Sequence, residues 1–269
     1  MVLVESLFIY PLKSGRAIPM ARVSIDATGF KWDRYWMAVD AAGHFITQRT
    51  HPKLALVVPD IGEDALTLNA PGQGALHIPL RPEGASATVK VWRDTCTGLD
   101  QGEAAAEWIS AAIGDHARLV RMPPAMDRKA SASFAGTVPA PMSYADGFPI
   151  LVTNSASLVD LNTRMAEPLP MSRFRANVVV SGLPAWAEDG IARLASDGVS
   201  LDLVKPCTRC VITSTDQETG ERSTNPLPVL RKFRWNKALL GVLFGENAVI
   251  SAGVGGSLER GAALTVTYK

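Results

Sequence analysis

The stretch Lys205-Pro206-Cys207-Thr208-Arg209-Cys210 brings two thiols, a guanidinium and a hydroxyl together, directly before the apolar Val211-Ile212-Thr213. Thiolates bind soft metals or carry out redox chemistry, and the guanidinium and hydroxyl offer donors to an anionic ligand. With Cys96 the chain has three cysteines, too few and too oddly numbered for a disulfide framework, so the C-x-x-C reads as a metal or redox element of a reducing compartment. A closed zinc site needs two more ligands. His44, His51, His77 and His116 are scattered and form no closely spaced pair, which argues against structural zinc. Two further strings carry donors at strand ends. Lys13-Ser14-Gly15 follows an apolar run, and Ser172-Arg173-Phe174-Arg175-Ala176-Asn177 leads into Val178-Val179-Val180. Taken singly, each reads as readily as a solvated turn as a phosphate site.

The elements that must position these groups read mostly as short strands. Val2–Tyr10 and Ala21–Asp26 are strands, and Tyr35–Asp40 and Phe45–Gln48 flank a hairpin turn at Ala41–His44. Leu54–Pro59, Ala65–Asn69, Ala75–Pro79 and Thr88–Trp92 continue the pattern and predict a sheet or barrel. Gln101–Ile113 has helical spacing and a Gly114 stop. Residues 122–147 contain Pro and Ser without periodicity and suggest a lid, a wrapping segment or a linker, with a domain boundary near their start. Beyond them, Phe148–Val152 reads as a strand, Ser155 onward as a helix, and Val199–Val204 as the strand that delivers the cysteine loop. Val211–Thr215 reads as a strand leaving it. Asn225-Pro226 opens a short helix, and Ala248–Ser251 and Leu264–Tyr268 are late strands.

Length and charge bound the rest. A chain of 269 residues, 47% hydrophobic, buries a core large enough for one big domain or two interlocked ones. Lys and Arg total 27 against 26 for Asp and Glu, so no global field favours nucleic acid or a membrane surface, and any anion site must be local. The first residues carry neither a basic leader nor an apolar run long enough for a signal peptide or span, so a cytoplasmic protein is expected.

Six strings occur together in register: Tyr10-Pro11-Leu12-Lys13-Ser14, Asp33-Arg34-Tyr35-Trp36, Thr47-Gln48-Arg49, Phe174-Arg175-Ala176-Asn177, Lys205 to Cys210, and Phe244-Gly245. In this order the sequence resembles the MOSC family, and specifically its amidoxime-reducing branch. The resemblance covers essentially the whole chain. It implies a β-rich mixed α+β fold with few helices: an N-terminal MOSC-associated β domain over 1–121, interlocked with a MOSC β-barrel domain over 122–269.

It further implies a molybdenum cofactor, Mo-molybdopterin, whose metal is held by Cys210, with Cys207 a structural neighbour. Lys13, Ser14, Arg34, Arg175, Asn177, Thr208 and Arg209 match the family's cofactor-contacting positions. Arg49 is a weaker match that would line the substrate mouth, and Asn247 falls at a position where family members vary. Arg209, next in sequence to Cys210, is the cation expected to favour its thiolate. The implied reaction is reduction of an N-hydroxylated small molecule such as an amidoxime, hydroxylamine or N-hydroxylated base. The general acid stays open among Asp33, Asp146 and the four histidines. Some relatives carry a ferredoxin-like domain with four more cysteines after the barrel. With none here, electrons are expected from a separate flavin reductase, ferredoxin-like or haem protein. Two other readings remain: a cofactor-handling or sulfur-carrier protein with a Cys210 persulfide, and a non-enzymatic β-rich binding module with no metal.

Overall fold

Seven strands close into a ring, and their order around it differs from their order in the chain. The computed structural model describes residues 1–269. Val2–Ile9 runs antiparallel to Val178–Ser181, which lies parallel to Ile150–Asn154. Ile150–Asn154 pairs with Gly241–Ala252, and the ring continues through Val199–Thr208, Ile191–Ser196 and Ala263–Tyr268 back to Val2–Ile9. The parallel pair needs a crossover, which the helix Ser155–Asn162 supplies, with Asn154 accepting from the Ala156 N–H at 3.1 Å as its cap.

Alternation fills the barrel. Leu201 and Leu203 point inward with Ile150, Val152, Val178, Val180, Ala248 and Ile250. On the first strand the inward residues are Val4, Leu7 and Ile9, because a bulge between Val4 and Ser6 shifts the register by one residue.

A second core packs beside the barrel. The sheet Trp36–Val39, Arg118–Arg121, Asp94–Asp100 and Ala85–Val91, the smaller sheet Val58–Ile61, Ala65–Asn69 and Leu76–Pro79, and the helix Glu103–Ile113 enclose Trp36, Met37, Leu54, Leu66, Ile109 and Leu119. The two units interlock, since Arg22–Asp26 pairs with Ser257–Glu259 from the far end of the chain. The expected β-rich α+β class with few helices is the fold found.

Residues 122–147 form a packed strap. Arg128 is buried in it, donating to the carbonyls of Ser143 (2.6 Å) and Ala145 (2.9 Å) and pairing with Asp94 at 2.9 Å.

Two expected strands are 3-10 turns instead. Residues Pro52–Leu56 form one because Pro52 presets the first helical φ, and strand geometry resumes only at Val58. Val211–Ser214 forms the other. The Thr213 and Ser214 hydroxyls donate to the carbonyls of Cys210 (2.9 Å) and Val211 (2.7 Å), which closes a turn in place of a ladder.

Candidate functional site

The cysteine motif occupies the end of the ten-residue strand Val199–Thr208 and the turn after it, on the outer wall of the barrel. Extended geometry sends Cys207 and Arg209 to the same side. The Arg209 guanidinium accordingly donates to the Cys207 sulfur at 2.9 Å and to the Phe174 carbonyl at 2.6 Å. Cys207 packs against Leu151, Ala176 and Val179. The cation near Cys210 is Arg49, which pairs with Asp146 at 3.2 Å and makes no hydrogen bond to the thiol. Arg209, expected to favour the Cys210 thiolate, makes its hydrogen bonds to Cys207 and Phe174 and none to Cys210. Both cysteines are free thiols.

Around this loop the structure gathers residues from both ends of the chain. Lys13 is buried, donates to the Tyr144 carbonyl at 2.7 Å and pairs with Asp146. Burial pulls its pKa down to about 8 against the pull of Asp146. Burial alone would push the Asp146 carboxyl up, but Lys13 and Arg49 outweigh it and hold the group well below the usual carboxylate range. Arg34 pairs with Asp33 and donates to the Asn177 side chain at 3.0 Å, and Asn177 donates to Asp33 at 3.0 Å.

Arg175 donates to the Gly15 carbonyl at 2.7 Å. Arg34 and Arg175 both lie 4.3 Å from the Tyr10 ring centre. Ser14 is buried beside Lys13, and Thr208 is exposed at the strand end. Asn247 lies opposite Leu151 in the ladder, so it shares the barrel's outer face with a residue touching Cys207, though it makes none of the cluster's hydrogen bonds.

Asp33, pushed up by burial and held by Arg34, Tyr10 N–H and Asn177, is a framework group. The histidines are elsewhere: His44 is paired with Asp40, His51 with Asp115 and His77 with Thr67, while His116 is exposed. Of the acid candidates only Asp146 is in the cluster with an open face, and it is ionised.

Four residues missed from sequence belong to the site. Phe45 and Trp92 meet in a tilted pair at 5.0 Å on its edge, and Arg49 lies 4.7 Å from the Trp92 ring centre. Gln48 and Gln217 brace it from below. Gln48, inside the quoted Thr47-Gln48-Arg49 string, was the one that could have been found. Backbone strain concentrates in the same place, with Ser14, Arg34, Trp92 and Arg175 all in left-handed conformations at φ 67, 53, 58 and 55°.

The charges of the cluster are unevenly paired. Lys13, Arg34 and Arg49 have Asp33 and Asp146 as partners, whereas Arg175 and Arg209 have only carbonyls, an amide and the Cys207 sulfur. The Arg49 Nη1 and Arg209 Nε are buried without any hydrogen-bond partner. Burial of this uncompensated charge lowers Arg175 to about 10. Such orphaned donors call for an anion, and a soft metal beside Cys210 would complete the donor set. The residues present thus fit a phosphate-bearing cofactor whose metal takes a thiolate.

Residues 1–116 match the MOSC N-terminal beta barrel domain and residues 139–265 the MOSC domain. The mouse mitochondrial amidoxime-reducing component 1 is 32% identical over 90% of this chain and 74% of its own length. The chain belongs to the MOSC family. Within that family the human mitochondrial amidoxime-reducing component 1 is 33% identical over 86% of this chain and 72% of its own. The zebrafish molybdenum cofactor sulfurase is 30% identical over 91% of this chain but only 32% of its own length. No helix of this MOSC protein is long and apolar enough to cross a membrane.

Proposed function

We propose that this protein is a molybdenum-cofactor-dependent reductase of N-hydroxylated small molecules, supplied with electrons by a separate flavin, ferredoxin-like or haem protein in the cytoplasm. The observation that carries the reading is the pair of buried, unpartnered guanidinium nitrogens on Arg49 and Arg209, beside the free thiols of Cys210 and Cys207. The names of the mouse and human relatives favour the same activity.

In this reading Cys210 is the metal ligand, and Lys13, Ser14, Arg34, Arg175, Asn177, Thr208 and Arg209 hold the pterin phosphate and ring edges. Arg49 and Asn247 border the same space. When bound, the cofactor supplies the two-electron chemistry that breaks the N–O bond. The chain's own part is binding, orientation and charge. Arg209 fixes the cysteine strand through Phe174, Asp146 holds Lys13 and Arg49 in place, and Tyr10 spaces two guanidiniums that would otherwise repel. With its pKa pulled down to about 8, Lys13 is the buried group of this cluster able to release or take a proton near neutrality. We divide the functional units at 121/122, with strand Val2–Ile9 crossing into the second.

Metal analysis and turnover test the proposal together. Stoichiometric molybdenum, lost in Cys210→Ala and kept in Cys207→Ser, with dithionite-driven reduction of benzamidoxime by the loaded wild type, is the expected result. Metal-free protein carrying labile sulfur on Cys210 would instead favour a sulfur carrier, a role consistent with the zebrafish sulfurase likeness. Loaded protein that leaves benzamidoxime intact overturns the reductase reading.

A further inference from the structure

Trp92 presents a combination that folding alone does not favour. It is the first residue of the two-residue turn joining Ala85–Val91 to Asp94–Asp100, where Val91 pairs with Asp94. Its φ of 58° suits Gly or Asn, and a bulky indole there is strained. The side chain is also 52% exposed, so burial does not offset that strain.

What the indole touches is the site. Its N–H donates to Asp146 at 3.3 Å, Arg49 packs 4.7 Å from its ring centre, and Phe45 leans on it at 57°. Arg49 in turn faces the Cys210 thiol, so one side chain separates the indole from the proposed metal ligand. Phe45 has the Lys13 ammonium 5.2 Å from its ring centre. Three contacts thus hold an open aromatic surface at the edge of the Lys13–Arg49–Asp146 cluster.

We propose that Trp92, supported by Phe45, is a stacking platform for substrate, so that the site selects flat, π-conjugated N-oxygenated compounds over saturated ones of equal size. This rests on the reductase reading and adds the substrate class. A flat ring gains offset stacking on the indole while its polar end reaches past Arg49 toward Cys210, whereas a saturated ring is too thick and lacks the π face. Trp92 acts here through substrate contact and sets KM more than kcat.

Benzamidoxime and cyclohexanecarboxamidoxime form the discriminating pair, assayed on the loaded full chain with dithionite so that no partner protein is read. Wild type is expected to show a KM roughly tenfold lower for the flat compound. In Trp92→Leu the ratio of the two KM values collapses toward one, and Trp92→Phe keeps most of it. Trp92→Gly relieves the strained φ and is expected to melt no lower than wild type while losing the same discrimination, which separates a binding role from a structural one.

Quenching of tryptophan emission by benzamidoxime, present in wild type and absent in Trp92→Phe, reads binding without turnover. Equal KM changes for both compounds, or a wild type without preference, would overturn the platform. If loaded wild type reduces neither compound, the reductase reading fails separately. The quenching titration then decides the platform: a signal lost in Trp92→Phe supports it, and no signal in wild type overturns it.

Discussion

Gln48 and Gln217, 169 residues apart in sequence, hold each other by two reciprocal amide hydrogen bonds of 3.0 Å. Both are buried. Gln48 also donates to the Ser14 carbonyl at 2.7 Å, and Gln217 accepts from Arg175 at 3.3 Å. The pair therefore fastens the turn after Cys210 to the loop that carries Lys13 and Ser14. Replacing one amide leaves the other buried and unpaired, so Gln48→Leu and Gln217→Leu are each expected to destabilise by about 1–3 kcal/mol. The double variant is expected to cost less than the sum, which a chemical-denaturation cycle measures.

Lys13 gives the site a pH dependence. Burial pulls its pKa down to about 8, so the group is a cation below that value and neutral above it. Affinity for inorganic phosphate, measured by titration calorimetry, is expected to fall as pH rises through about 8. Lys13→Arg, which does not titrate in this range, should flatten the profile.

Glu246, opposite Pro206 in the barrel ladder, provides a second pH signature. It is fully buried, its Oε1 has no partner, and its Oε2 lies 3.4 Å from Lys269. Burial pushes its pKa up from 4.5 to about 8. A folded pKa above the unfolded one gives stability that is complete below about 4.5 and is lost as pH climbs to about 8. Glu246→Gln is expected to flatten the melting temperature against pH over this window and to raise it by a few degrees at the alkaline end.

Gly245 is required by its surroundings. At φ +77°, a Cβ there would lie 2.6 Å from the Val152 carbonyl oxygen and 2.8 Å from Thr153 Cγ2. Its neighbour Phe244 stacks on Phe174 at 3.8 Å, one residue before Arg175. Gly245→Ala is expected to cost about 1–3 kcal/mol and to loosen that stack. Lower thermal stability together with weaker phosphate binding would register both effects.

These residues also mark what the sequence made legible. Phe244-Gly245 and Thr47-Gln48-Arg49 stood out as strings before their reasons were visible: a carbonyl that excludes any Cβ, and an amide braced across the fold. Short apolar runs bounded by turn residues located most barrel strands, several of which are buried on both faces. Three features were hidden for physical reasons. The strand-like Val211–Thr215 turns because hydroxyls outcompete the ladder, and Leu54–Pro59 turns early because of Pro52. Trp92 reads as one more strand residue in Val-Trp-Arg-Asp, since nothing local announces a left-handed tryptophan. That Arg209 bonds Cys207 rather than Cys210 depends on which side of an extended strand each side chain leaves, which adjacency in sequence obscures.

The ring of seven strands has a consequence for how the molecule is made. Val2–Ile9 must wait for Ala263–Tyr268, made far later in synthesis, before the ring can close on it. Until then the barrel is an open sheet with exposed edges, vulnerable to pairing with other chains. The core built on Trp36, drawn from residues between Leu12 and Tyr144, is free to form first. An expression fragment starting after residue 121 lacks the closing strand, so it should aggregate, and adding back a peptide of Val2–Ile9 is the simplest rescue.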